Sequence, residues 1–433
     1  MHIYFSGIGG TAIGPLALIA QQAGFTVSGS DKQDSQYIQY LRSHGIKNIH
    51  IGQDYEQIAA VHNFAPIDWF VYTSALPLEN PNAPELQFCA EQSIKISKRD
   101  ELINLILEQK RLKLIAVAGT HGKSTATAMV IWLFKQIKMP VSYSVGAKIS
   151  YGEMGEYAAD SEYFVYEADE FDRNFLAFEP YLSVITGVSW DHHEIFPARS
   201  DYQSAFRDFL SQSKDSILWQ EDYDYIQPSR DSACQILATN APEIGQIQLL
   251  GLYNRLDAWL AVQAVHKVSG QPVAALIGHI NSFPGLQRRM EEIIPNLYSD
   301  YAHTPEKIRG AMSVAREMAD EQDQSVVVVY EPLTNRRQHY MIDDYNDCFE
   351  GASQVYWLPS YLAREDPDQR VIPPVELITH LSDPTIAVPA EMGADLKRAI
   401  EHHVHLGDMV VCMVGGGGNS LDEWVRKEFK LEA

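Results

Sequence analysis

Positive charge and sulfur are both scarce in this 433-residue chain. Lysine and arginine number 34 against 57 aspartates and glutamates, a net charge of −23. Such a surface repels phosphate backbones, so nucleic acid is not an expected partner. Any anionic ligand must be caught by a local site. The four cysteines (Cys89, Cys234, Cys348 and Cys412) stand apart without Cys-x-x-Cys spacing. That argues against a disulfide framework or a zinc site and fits a reducing, cytoplasmic setting. The opening residues MHIYFSGIGG run straight into a strand and a glycine turn, with no basic leader and no long apolar segment. Neither a signal peptide nor a membrane span is expected. Tandem repeats and low-complexity tracts are missing as well.

What is present is ordinary globular composition, 45% apolar and 21% charged, in a chain long enough for two or three domains. Short apolar runs alternate with helical patterns, which points to α/β units around parallel sheets. Three blocks follow one another. The first has strands at residues 2–7, TVSGSD and WFVYTSA and closes with a charged helix near 99–110. The second opens on KLIAVAGT, continues through YFVYEAD, LSVITGV and SILWQ, and ends in a helix expected from about Asn254. The third carries NLYSDY, SVVVVYEP, QVYWLPSY, TIAVPAEM and DMVVCMV. Pro284 and Gly285 break the pattern before it.

The strongest local signal is AGTHGKST, residues 118–125. A buried strand pattern runs into a glycine turn, and a helix is expected from Lys123. Backbone N–H groups in such a turn point at an anion. Lys123 is placed to neutralise the β- and γ-phosphates of a nucleotide, and the Ser124 hydroxyl to ligate Mg²⁺. The strict motif has a further glycine where Val117 stands, so this is a shortened form. The strand YFVYEADEFD ends in Glu167, Asp169, Glu170 and Asp172, acids that a metal beside the phosphates could use. A solvated acidic loop is the plainer alternative. The strand after it ends in SWDHH, adding His192 and His193 at the same edge.

The turn GIGGTAIG places Gly7, Gly9 and Ala12 at G-x-G-x-x-A spacing, with Asp31 ending the next strand. Alone this is a dinucleotide fingerprint and makes a nicotinamide-dependent oxidoreductase the rival reading. Its physical content is narrower, since any pyrophosphate can approach the backbone there. The later run Gly415 to Gly418 lacks a lysine and reads as a strand-to-helix turn.

Both turns in this order, with the collinear segments YTSALPLEN, DHHEIF, GLYNRLDAWLA, FPGLQRRME, DYAHTPEKI and EPLTN, resemble the Mur ligase family over nearly the whole chain. The likeness is greatest to the branches that add L-alanine, or a murein tripeptide, to UDP-N-acetylmuramate. It implies an α/β protein of three domains in series. These are a Rossmann-like UDP-sugar domain at 1–109, a central P-loop ATPase domain at 110–282 and a Rossmann-like amino-acid domain at 283–433. It also implies ATP and Mg²⁺ as cofactors, an acyl-phosphate intermediate, and a monomer or weak homodimer.

Carried over motif by motif, Gly7, Gly9, Gly10 and Thr11 would lie against the UDP pyrophosphate, with Asp31 and Ser74 in the same substrate site. Gly119, Thr120, His121, Gly122, Lys123, Ser124 and Thr125 would form the ATP loop. Ser124, Glu167 and His192 would hold metal, and Asn254 would contact adenine. Arg289 and Asp300 would bind the nucleotide's phosphate and ribose, and His303 would sit near the incoming amino acid. A carboxylate on the acceptor needs a cation, which Arg336 or Arg337 would supply; Asn335 matches the tripeptide-adding branch. The family's second adenine-motif asparagine is Asp257 here, and Thr334 replaces an arginine of the alanine-adding pattern. No lysine closely follows the DHH segment, which fits these two branches.

Overall fold

The computed structural model describes the whole chain except residues 74–75, 77–79, 193–194, 287–288, 363–367, 416–418 and 430–433, and the side chain of Gln36. Three sheets follow one another in sequence. The first contains His2–Ser6 (β1), Thr26–Asp31 (β2), Ile49–Ile51 (β3), Trp69–Tyr72 (β4) and Lys95–Lys98 (β5), all parallel in the order β3-β2-β1-β4-β5. Strand order reverses between β1 and β4, so the glycine turn after β1 opens at a topological switch point.

The second sheet contains Lys113–Ala118 (β6), Val141–Ser144 (β7), Gly155–Glu156 (β8), Tyr163–Glu167 (β9), Leu182–Ile185 (β10), Ser216–Trp219 (β11) and Cys234–Leu237 (β12). Its order is β12-β11-β10-β6-β9-β7-β8, parallel except for the β7–β8 pair. β6 lies centrally and delivers the phosphate turn between β9 and β10. The first two sheets share one apolar core: Ile3 and Ile19 belong to the same buried cluster as Leu102, Ala116, Phe175 and Phe206. They form one compact unit, residues 1–247 with 256–284.

The second unit comprises 248–255 with 285–433. Its sheet contains Glu291–Ile294 (β13), Leu297–Asp300 (β14), Val326–Glu331 (β15), Ala352–Trp357 (β16), Ala387–Pro389 (β17) and Met409–Val414 (β18). The order is β13-β14-β18-β15-β16-β17, with only β13 antiparallel. Both faces are covered, which is why Val326 to Tyr330 form an unbroken apolar run. Val326, Val328 and Tyr330 pack with Ile308 and Met312 of the helix Pro305–Gln322. Val327 and Val329 turn to the opposite core with Ile400 and Val425. The loop before the helix Leu252–Ser269 is tied to this unit, with Gly251 N donating to Glu317 Oε2 at 2.7 Å. That helix starts at Leu252, two residues before the position expected from the sequence.

Gly155 shows how tightly the first two sheets meet. A Cβ there would stand 2.8 Å from both Cβ and the carbonyl oxygen of Pro15, in the helix Ile13–Gln22. Gly155→Ala is expected to cost about 1–3 kcal/mol, because the backbone itself must move. Urea unfolding of the variant checks this, and unchanged stability would rule out the close contact.

Candidate functional site

The phosphate loop is built by two glycines whose neighbours leave no room for a side chain. Gly119 has φ +144° and a Cβ there would meet Thr186 Oγ1 at 2.5 Å; Gly122 has φ +76° and would meet Asp257 Oδ1 at 2.6 Å. The helix Lys123–Gln136 starts directly after Gly122, so its free N–H groups and its dipole face the loop. Thr120 locks the turn to the β10 side. Its N–H donates to Gly187 O at 2.7 Å and its hydroxyl to Ser189 O at 2.8 Å. His121 Nε2 lies 2.8 Å from Ser189 Oγ. Thr125 is half-buried in the helix's first turn.

Lys123 reaches back along the loop and donates to Gly119 O at 2.7 Å and to Glu170 Oε2 at 2.6 Å. Glu170 is fully buried, with His192 Nε2 and the Tyr202 hydroxyl each 3.4 Å from its Oε1. Burial opposes charge on both partners, yet their attraction outweighs it: the Lys123 pKa is raised and the Glu170 pKa lowered. The pair is therefore ionised, and one positive charge is stored beside the anion-binding amides.

The acids after β9 do not converge as the sequence suggested. Glu167 turns to the start of the loop helix, accepting from Ser124 Oγ at 2.8 Å and from Gly146 N at 2.7 Å. Glu170 serves Lys123. Asp169 is 3.5 Å from Arg99 Nη2, and Asp172 pairs with Lys98. Both cations come from the first sheet's end of the chain, where local sequence at the acids could not reveal them. His192, expected as a metal ligand, faces Glu170 rather than standing in a ready cage. Among the described residues no three His, Cys, Asp or Glu side chains converge to hold a metal. The Ser124 hydroxyl and the Glu167 carboxylate do fit Mg²⁺, a hard cation that takes a few oxygen ligands and completes its shell with water and phosphate.

In the first sheet the glycine turn borders an open cleft of about 270 Å³ lined by Gly7, Gly9, Gly10, Asp31, Lys32 and Gln53 among others. Asp31 Oδ2 accepts from Gly9 N at 2.8 Å, and Thr11 lies exposed beyond the cleft lining. Ser74 falls outside the described residues. Lys32, directly after Asp31, also lines this cleft and was missed in the sequence reading.

In the second unit, Asp300, His303, Glu331 and Gly415 gather at the carboxyl ends of β14, β15 and β18, where strand order reverses. Asp300 Oδ2 accepts from Met290 N at 2.8 Å, and the Arg289 guanidinium lies over the Tyr301 ring at 5.3 Å. His303 is buried, with Nδ1 3.0 Å from Tyr301 O and Nε2 3.5 Å from Lys307 Nζ. Arg336 and Arg337 are half-buried on the helix Asn335–Met341. Asn335 is a clasp: its amide donates to Arg370 O at 2.9 Å and accepts from Ile372 N at 2.8 Å. Asn254 donates to Leu250 O at 2.8 Å within its own turn. Asp257, one turn further, is the residue packed on Gly122.

Two sequence profiles match the chain: the catalytic domain of the Mur ligase family over residues 2–111 and the Mur ligase middle domain over 117–242. The UDP-N-acetylmuramate–L-alanine ligase of Rickettsia felis is 27% identical, the alignment covering 96% of this chain and 94% of that protein. The ligase of the same name from Alkaliphilus metalliredigens is 26% identical, covering 96% and 95%. Among solved structures, the UDP-N-acetylmuramate–alanine ligase MurC of Thermotoga maritima superposes with a TM-score of 0.75 at 22% identity, covering 99% of this chain and 98% of that one. The murein peptide ligase of Psychrobacter arcticus gives 0.65 at 19% identity over the full length of both. At those identities the structural likeness speaks for the fold.

Glu331 was also missed in the sequence reading. It is buried at the end of β15 and accepts from Leu421 N at 3.1 Å; burial pushes its pKa from an ordinary 4.5 to about 7. The folded chain thus binds this proton more tightly than the unfolded chain. Its contribution is most favourable below about pH 4.5 and is lost as pH rises to about 7. Glu331→Gln removes that slope. The variant is expected to gain on the order of 1–3 kcal/mol relative to wild type between pH 5 and pH 8. Urea midpoints at the two pH values check it; parallel curves would show that Glu331 titrates normally.

Proposed function

The chain belongs to the Mur ligase family, and on that premise we propose that it is an ATP-dependent ligase joining L-alanine to UDP-N-acetylmuramate in peptidoglycan precursor synthesis. The end-to-end likeness to ligases of that name carries the reading. The phosphate loop with Lys123 and the Ser124–Glu167 pair supplies the chemistry.

The muramate carboxylate attacks the γ-phosphorus of ATP, so two anions must meet. Lys123 leaves Glu170 for the phosphate oxygens, and the loop N–H groups donate to the oxygens that carry the remaining negative charge. Ser124 and Glu167 would hold Mg²⁺, which would offset phosphate charge. ADP departs, leaving an acyl-phosphate. The amine of L-alanine attacks its carbonyl carbon and loses a proton, and inorganic phosphate leaves. Glu170 remains within reach of His192 Nε2 and the Tyr202 hydroxyl when Lys123 moves away, so its charge is not stranded. Gly7, Gly9, Gly10 and Lys32 cradle the UDP pyrophosphate, and Arg336 or Arg337 pairs with the alanine carboxylate. A tripeptide acceptor has less support, since the Asn335 amide already clasps the 370–372 segment at both ends.

Phosphate release from ATP in the presence of UDP-N-acetylmuramate tests the acceptor. Turnover is expected with L-alanine, and turnover with the L-Ala-γ-D-Glu-diamino acid tripeptide alone would overturn the assignment. Lys123→Ala should lower ligation by about 10²-fold or more while UDP-N-acetylmuramate binding stays near wild type. Equal loss of both would contradict separate sites for the two ligands.

A further inference from the structure

Glu85 lies fully buried beneath the first-sheet cleft, on the helix Pro84–Glu91, and the ligation chemistry makes no use of it. Its carboxylate collects three hydroxyls. Oε1 accepts from the Tyr4 hydroxyl at 2.9 Å and from Ser30 Oγ at 2.5 Å, and Oε2 accepts from Ser6 Oγ at 2.6 Å. Ser6 directly precedes the glycine turn, and the Ser30 carbonyl accepts the amides of Gly7 and Ile8 at 2.9 and 3.0 Å. The acid is therefore wired to both strands that carry the turn.

The direction of these bonds has a consequence at the cleft. Burial raises the Glu85 pKa, and the hydroxyls of Ser30, Ser6 and Tyr4 oppose that rise, each directing its one proton to the carboxylate. Ser6 Oγ is then left as an acceptor, and Gln53 Nε2 donates to it at 2.8 Å. Gln53 lines the cleft. Its amide is thereby fixed with nitrogen toward Ser6, leaving Oε1 and one N–H in a set order for a ligand. In UDP the hydroxyls adapt and the phosphates only accept. The uracil N3–H is the fixed donor, with carbonyl acceptors beside it. Cytosine reverses the order, with N3 as acceptor beside an amino group, and would need the amide turned over.

We propose that Gln53 is a specificity-determining residue for the nucleobase and Glu85 the positioning residue that orients it through Ser6, so that the cleft selects a uracil nucleotide over a cytosine one. This rests on the reading of the cleft as a UDP-sugar site. Calorimetric titration of the full chain with UDP and with CDP tests it. Wild type should favour UDP by about tenfold or more, the discrimination of one good bidentate base contact. Glu85→Gln and Ser6→Ala should each shrink that ratio to about threefold or less, while UDP still binds through the glycine turn and Lys32. Circular dichroism melting shows whether each variant is folded; should Glu85→Gln fail to fold, Ser6→Ala decides. Equal wild-type affinity for UDP and CDP, or a full preference kept in the folded variants, would overturn the inference alone. Absence of UDP binding to wild type would overturn the underlying reading as well.

Discussion

The buried ion pair between Lys123 and Glu170 sets the terms for the rest of the central site. A charge placed among loop amides in a low-dielectric pocket is costly unless a partner accompanies it. Glu170 supplies that partner in the absence of a nucleotide. His192 and Tyr202 would leave the buried carboxylate with polar neighbours if the lysine turned to phosphate. Thr120 links the same network to the loop, since its hydroxyl lies 2.7 Å from that of Tyr202. Loop shape, lysine position and acid charge are thus one coupled arrangement.

That coupling explains why the acids after β9 divide their labour. Four carboxylates within six residues would repel one another if all faced the phosphates. Lys98 and Arg99 draw Asp172 and Asp169 toward the first sheet's side, and Lys123 holds Glu170. Glu167 is left beside Ser124, an oxygen pair of the kind that suits a divalent cation. The shared apolar core of the first two sheets makes this division possible, because it fixes where Lys98 and Arg99 arrive.

Much of the fold was legible because its signals are local. Apolar strand runs, glycine turns and the Gly-Lys-Ser junction depend on neighbours in sequence, and the three parallel-dominated sheets follow from them. The short edge strands Ile49–Ile51, Gly155–Glu156 and Glu291–Ile294 were not legible, since two to four residues, partly charged, carry no period. At the sites, the loop residues and Glu167 could be read from motif and strand end. The partners of Asp169, Asp172 and Glu170, the clasp at Asn335 and the hydroxyls around Glu85 could not. Each joins residues far apart in the chain, and the pairing exists only once the sheets have formed.

The central claim is that a carboxylate is activated by phosphoryl transfer before an amine attacks it. Oxygen-18 placed in the muramate carboxylate tests this directly, by mass analysis of the inorganic phosphate released during ligation of L-alanine. The account predicts one labelled oxygen in the phosphate, because the carboxylate oxygen that attacks phosphorus leaves with it. Unlabelled phosphate accompanying amide formation would contradict an acyl-phosphate and with it the role given to Lys123.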